Sequence, residues 1–228
     1  MPENQIEGIK ACVYDVCGTL FALHSGADQF RDNLVDKADQ ASNSWRKKQL
    51  QYSWFHSLMQ ELVPLWQVTA EGLDFAQVES QPNDPALHQK LMNLYLKLKY
   101  DPGVPGALQT LKRASKHKGI LSNGSREMLD PVVKNSSLGD VLYASLSVDY
   151  VGVSKVDTRV YKVTTNSFNY TPTEICFMSS NAWDAWAASH FGFQVAWVNF
   201  FDQPPVYAPG GLAAEFTTLE ELPPLLDL

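Results

Sequence analysis

Four groups of polar residues stand where apolar runs stop. Asp15 closes the run Ile9-Lys10-Ala11-Cys12-Val13-Tyr14 and leads into Val16-Cys17-Gly18-Thr19. Ser122-Asn123-Gly124-Ser125 follows Gly119-Ile120-Leu121, and Lys155 lies within Gly152-Val153-Ser154-Lys155-Val156-Asp157. Ser179-Ser180-Asn181-Ala182-Trp183-Asp184 ends the run that begins at Glu174. A carboxylate at such a position serves as a nucleophile or a proton acceptor. It costs free energy to desolvate, so it requires donors or cations around it. Lys155 is the natural charge partner that keeps a neighbouring carboxylate ionised. Taken singly, each group also has an ordinary reading. Asp15 suits a turn, Ser122-Asn123-Gly124 is a common turn sequence, Lys155 suits a solvated surface, and Asp184 suits the first turn of a helix. It is their joint placement that points to a site. Cys17 lacks a histidine in a partner motif and reads as a small pocket-lining residue, and His24, His56, His88, His117 and His190 show no metal-ligand spacing.

These groups converge only if the strands they end are parallel neighbours. Ile9 to Tyr14 has the composition of a buried strand, and Gly18 permits a tight turn after it. From about Ala27 to Lys99 the pattern becomes helical, with no strand signal. Trp45, Leu50, Trp54, Phe55, Leu58, Met59 and Leu62 mark its strongest apolar face, and Pro64 ends or kinks that helix. Val68 to Val78 is a second helix with Thr69 as its N-cap, Gln81 to Pro85 a turn cluster, and Leu87 to Leu98 a further helix. Tyr100 to Gly106 punctuates the chain. Beyond it helices at 107–117, 126–134, 158–169 and 182–191 alternate with strands at 119–122, 142–148, 174–180 and 194–199. Pro204-Pro205 and Gly210-Gly211 suggest a surface loop. Alternation predicts an α/β fold whose parallel sheet carries helices on both faces, with strand ends and ligands on one edge. The expected organisation is a core from 1–21 and 100–228, interrupted by a helical insert from 22–99.

The 228 residues are 45% hydrophobic, enough for a sizeable core, and carry a net charge of −7 with a pI near 5.2. That balance argues against nucleic acid, which requires a basic surface, but leaves room for a small anion in a local positive pocket. Three unpaired cysteines fit a reducing compartment. No basic-then-apolar leader and no bilayer-length apolar run stands in the sequence, so a cytoplasmic protein without membrane attachment is expected.

With these residues in view, the sequence resembles the haloacid dehalogenase superfamily, and more narrowly the L-2-haloacid dehalogenases. The four polar groups match that superfamily's motifs in order. The insert segment Trp45-Arg46-Lys47-Lys48-Gln49-Leu50-Gln51-Tyr52-Ser53-Trp54 matches the dehalogenases. The resemblance implies a Rossmann-like core with an inserted helical cap, in which Asp15 attacks the halogen-bearing carbon to form an ester. It further implies that Lys155 sustains the charge of Asp15, while Thr19, Ser179 and Asn181 orient it. Arg46 and Asn123 receive the halide, Ser122 holds the substrate carboxylate, and Asp184 activates water. Cys17, Leu50, Leu65, Tyr161 and Trp183 are the expected pocket wall, and a small halogenated carboxylic acid is the implied substrate. Relatives imply a homodimer. Superfamily phosphatases carry a second aspartate where this chain has Cys17, a poor Mg²⁺ ligand, so no metal or cofactor is expected. Lys47, Ser154 and Val156 also depart from the dehalogenase pattern. The alternative readings are a superfamily hydrolase acting on a non-halogenated substrate, whether a phosphatase or an enzyme of secondary metabolism, and a non-enzymatic binding module.

Overall fold

The computed structural model describes residues 6–21, 38–80, 85–94, 103–113, 116–135, 138–200, 202–204 and 211–221. Six strands form one sheet: β1 (Ala11–Tyr14), β2 (His117–Ser122), β3 (Ala144–Ser147), β4 (Ile175–Ser179), β5 (Gln194–Val198) and β6 (Ala214–Phe216). Every pairing is parallel and the order is β3-β2-β1-β4-β5-β6. The chain therefore builds outward from β1 on one side and returns to build on the other. The crevice at the carboxyl ends of β1 and β4 is the switch point where such sheets take ligands.

All four residues of β1 are buried. Cys12 and Tyr14 join one core layer with Ile120, Met178 and Val198, while Ala11 and Val13 join the opposite layer with Leu121, Phe177 and Trp197. A strand covered on both faces has no polar side, which explains the unbroken apolar runs in the sequence. Gly18 has φ 92°, and its N–H donates to the Phe21 carbonyl at 2.8 Å, closing the turn directly after the strand. A side chain at that φ would be strained, so glycine fixes how sharply the chain leaves Asp15.

The described part of the insert comprises α1 (Ala38–Met59), α2 (Leu65–Ser80) and α3 (Pro85–Leu94). These helices share their own apolar cluster of Ala38, Ala41, Trp45, Leu73, Ala76, Leu91 and Met92. On the core side lie α4 (Val104–Arg113), α5 (Arg126–Asn135), α6 (Thr158–Phe168) and α7 (Ala182–Phe191).

Several sequence expectations are corrected. α2 starts at Leu65, directly after Pro64, so Thr69 is not its N-cap. Thr69 lies inside the helix and is fully buried, and its hydroxyl donates to the Leu65 carbonyl at 2.6 Å. His117 belongs to β2 rather than to the preceding helix, and β3 is shorter than expected, giving way to a 3-10 turn at Val148–Tyr150. β6 is a sixth strand that the sequence reading passed over. Of the apolar face expected on the insert, only Trp45 is buried. Phe55, Leu58, Met59 and Leu62 are exposed. The start of the insert (residues 22–37), the turn at 81–84, the end of the third insert helix and residues 205–210 lie outside the described residues.

Candidate active site

The buried ammonium of Lys155 bridges two carboxylates. Its Nζ donates to Asp15 Oδ1 at 2.9 Å and to Asp184 Oδ2 at 2.8 Å. Three strand ends supply this row: Asp15 follows β1, Asp184 lies in the first turn of α7 after β4, and Lys155 arrives on the loop after β3. That loop is pinned twice. The Lys155 backbone N–H donates to Asn123 Oδ1 at 2.9 Å, and the Ser154 N–H donates to the Ser57 hydroxyl of α1 at 2.7 Å. The Lys155–Val156 peptide bond is cis. Burial disfavours the Lys155 charge, yet the combined pull of Asp15 and Asp184 outweighs it and leaves Lys155 above the usual lysine range. An uncompensated buried cation would be far costlier, so each carboxylate is also part of the reason the lysine remains charged.

The second oxygen of Asp15 is held as firmly as the first. Asn181 Nδ2 donates to Oδ2 at 2.8 Å and also to the Cys17 carbonyl at 3.1 Å, and the Thr19 hydroxyl lies 3.3 Å from the same oxygen. Ser179 acts one step back, accepting the Asn181 backbone N–H at 3.1 Å. Asp184 is completely buried, and its other oxygen receives the Tyr161 hydroxyl at 2.7 Å. Burial raises the Asp184 carboxyl first, opposed by Lys155 and reinforced by the nearby Asp15 charge, for a net rise. Burial, then Asp184, pushes the Tyr161 phenol well above its ordinary range, so it remains a donor.

A solvent-connected cleft opens over Asp15, lined by Cys17, Arg46, Gln49, Leu50, Ser53, Leu65, Ser122, Asn123, Asn181 and Trp183. The Arg46 guanidinium donates to Gln49 Oε1 at 2.7 Å and to Asn181 Oδ1 at 3.3 Å, and pairs with no carboxylate among the described residues. It is thus a cation held against the cleft by neutral acceptors. Asn123 spends its carbonyl oxygen on Lys155, which leaves its NH₂ as the donor available to the cleft. The Ser122 hydroxyl accepts the Gly124 N–H at 2.9 Å, tightening the loop after β2. Burial, then Asp15, pushes the Cys17 thiol up to about 11 against the opposing pull of Arg46 and Lys155. Cys17 is therefore a protonated wall residue at neutral pH. Trp183 meets Trp54 of α1 edge-on, with ring centroids 5.6 Å apart.

Most of the residues singled out from sequence thus gather in one place, with one relocation. Tyr161 does not line the cleft; it is fully buried against Phe177, Phe191 and Phe193 and reaches the site only through Asp184. Gln49 and Ser53 line the cleft and were not anticipated. Both lie on the Arg46 side of α1, at i+3 and i+7, and helical spacing from Arg46 is the signal that would have found them. Among the described residues, no group of three His, Cys, Asp or Glu side chains is placed to hold a metal ion.

The fold and site define a parallel α/β protein with a carboxylate–ammonium–carboxylate row at its switch point and a helical layer overhead. A family profile described as haloacid dehalogenase-like hydrolase matches residues 9–192, and the chain belongs to that family. It is 38% identical over 222 residues to (S)-2-haloacid dehalogenase 4A of Burkholderia cepacia, covering 97% of this chain and 96% of that one. It is 36% identical to (S)-2-haloacid dehalogenase 1 of Pseudomonas sp. strain CBS-3, covering 97% and 98%. The structure of an L-2-haloacid dehalogenase from Xanthobacter autotrophicus with chloropropionic acid covalently bound superposes with a TM-score of 0.86 at 30% identity, covering 96% of this chain and 98% of that one.

Proposed function

We propose that the protein hydrolyses short-chain L-2-haloalkanoates to 2-hydroxy acids and halide through an ester on Asp15. The observation that carries this reading is the Lys155 bridge. It sets a buried ammonium on one oxygen of Asp15, beside a cleft that Arg46 and Asn123 also line. Asp15 attacks the carbon bearing the halogen from behind. A carbon–oxygen bond forms, the carbon–halogen bond breaks, and halide leaves with the bonding pair. Charge developing on the halide is met by Arg46 and the Asn123 NH₂, the same electrostatic logic as an oxyanion hole. Ser122 engages the substrate carboxylate, and Cys17, Leu50, Leu65 and Trp183 surround the alkyl group. Water then adds to the ester carbonyl of Asp15 while Asp184 takes its proton. The acyl carbon–oxygen bond to the substrate then breaks, and the departing alkoxide takes the water's second hydrogen and leaves as the 2-hydroxy acid. One water oxygen stays in the regenerated carboxylate, and Asp184 gives up its proton to solvent. A carboxyl raised by burial suits that base. Asp15, Asp184, Lys155 and Arg46 sum to near neutrality before an anionic substrate enters.

Residues 22–99 act as a cap on a core of 1–21 and 100–228. Their own apolar cluster and the contribution of Arg46, Gln49, Leu50 and Ser53 to the cleft support that division. A homodimer and a cytoplasmic location complete the reading. The latter is supported by three free cysteines, two of which, Cys12 and Cys176, are directly paired in register on neighbouring strands without a disulfide. No described helix is long and apolar enough to cross a membrane.

The decisive experiment is a single turnover of L-2-chloropropionate in heavy-oxygen water without added metal, with Asp15→Asn as control. Halide release and label in Asp15 are expected, with no label in that first product and no release by Asp15→Asn. Label confined to the product would overturn the ester route. Magnesium-dependent phosphate release in place of halide release would favour a phosphatase.

A further inference from the structure

We infer that Gln49 and Thr69 form a positioning relay that holds the Arg46 guanidinium at the halide-binding face of the cleft; this rests on the reading of Arg46 given above. Three hydrogen bonds run in one direction. Arg46 Nη1 donates to Gln49 Oε1 at 2.7 Å, Gln49 Nε2 donates to Thr69 Oγ1 at 2.6 Å, and the Thr69 hydroxyl donates to the Leu65 carbonyl at 2.6 Å. The direction is dictated by chemistry. Arginine has no acceptor, so it must face the amide oxygen, and that turns the amide NH₂ toward Thr69. The Thr69 hydroxyl then has one hydrogen left to give, and the Leu65 carbonyl takes it.

Gln49 is 1% and Thr69 0% exposed, so water does not substitute for these partners. The relay also crosses between helices, from α1 to α2, and a second bond fastens the same junction: Trp45 Nε1 donates to the Thr69 carbonyl at 2.7 Å. Leu65, at the far end, lines the cleft beside Leu50. The relay therefore joins the cation of the cleft to Leu65 of its apolar wall.

A neutral acceptor has a specific merit here. A carboxylate in place of the Gln49 amide would hold Arg46 as well, but it would cancel the charge that the departing halide needs. An amide fixes the guanidinium and leaves its net charge for the leaving group. Gln49 and Thr69 are positioning residues that act through Arg46.

The test compares Gln49→Leu, Gln49→Glu, Thr69→Val and Thr69→Ser with the wild type. kcat/KM is measured on 2-chloro-, 2-bromo- and 2-iodopropionate, because that ratio reports steps through carbon–halogen cleavage. Chloride depends more on stabilisation of its developing charge than iodide does. Gln49→Leu, Gln49→Glu and Thr69→Val are expected to lose about tenfold on the chloride substrate and about twofold on the iodide. Thr69→Ser, which retains the hydroxyl, keeps the wild-type ratio. Gln49→Glu is nearly isosteric and guards against loss of folding in the Leu and Val variants. Equal losses on all three halides, or none, would overturn the relay. Chloride binding, read by ³⁵Cl line broadening with Arg46→Gln as the control, requires no turnover. Broadening that weakens in the Leu, Glu and Val variants but not in Thr69→Ser supports the relay. Uniform broadening, or none that depends on Arg46, overturns it. A wild type that binds chloride in this way yet releases no halide would sink the dehalogenase reading and leave the relay standing.

Discussion

Asp184 receives two donors at once, Lys155 on one oxygen and Tyr161 on the other, and both favour its ionised form while burial opposes it. As the base for ester hydrolysis it must be ionised. Because the net shift is upward, the acid limb of the rate profile is expected above the ordinary aspartate value of 3.8. Tyr161→Phe removes one stabilising bond and no other polar contact of that hydroxyl beyond Asp184 itself. The variant is expected to move the acid limb of kcat to higher pH, with a loss that is greatest on the acid side and narrows on the alkaline side. A profile of unchanged shape, scaled by one factor at every pH, would show that Tyr161 serves packing alone. At this scale the sequence was legible wherever a polar side chain ended an apolar run, as with Asp15, Asn123 and Asn181. It misled at Tyr161, which was expected on the pocket wall. Its actual neighbours, Phe177, Phe191 and Phe193, come from β4, the end of α7 and the residue before β5, so no local pattern announces them.

At the scale of elements, the cleft depends on how closely α2 approaches α1. Gly72 sets that distance. A Cβ there would lie 3.0 Å from the Gln49 backbone nitrogen and 3.2 Å from the Trp45 carbonyl oxygen. Those atoms belong to a helix backbone and cannot rotate aside. Gly72→Ala would gain roughly 0.5–1 kcal/mol in helix propensity, yet crowding of this kind costs about 1–3 kcal/mol. A net loss is expected, read as a fall of about 2–6 °C in the thermal midpoint. The same separation stretches the bonds from Gln49 and Trp45 to Thr69, so turnover of chlorinated substrate should fall further than stability alone explains. An unchanged midpoint would show that the two helices part without cost. Elements were legible where periodicity was strong. β1 and β4 are fully buried runs, β2 and β5 are buried after their first residue, and alternation with helices sufficed to order them. β6 has three residues, Ala214–Phe216, and owes its pairing to β5 rather than to any run of its own. Thr69 looked like a cap because threonine caps helices often. Pro64, which favours a helix start directly after it, was the better guide to where α2 begins.

For the molecule as a whole, the instructive residues are Phe55, Leu58, Met59 and Leu62. Their spacing of three and four residues makes them part of the insert's strongest apolar face, but periodicity locates a stripe without saying what covers it. The cap is instead filled from the first half of α1, by Ala38, Ala41 and Trp45, against Leu73, Ala76 and Leu91. Phe55, Leu58 and Met59 in the last turns of α1 and Leu62 just past it are left 48%, 81%, 56% and 59% exposed. A cluster of that kind on a chain with net charge −7 asks for a partner, since isolated apolar residues are common on surfaces but contiguous ones mark interfaces. A second copy is the occupant that fits the homodimer reading. Related by a two-fold axis, the stripe would pack on itself, and each Leu58 would be buried by its equivalent. Leu58→Asp places two carboxylates in the centre of that contact. At micromolar concentration the wild type is expected to sediment at twice the 25.5 kDa chain mass, and Leu58→Asp at the chain mass itself. Because Leu58 does not line the cleft, halide release per chain should stay within about twofold of the wild type. A wild type that sediments as a monomer would remove the second copy as the covering partner. A Leu58→Asp variant that remains dimeric would place the interface on another face.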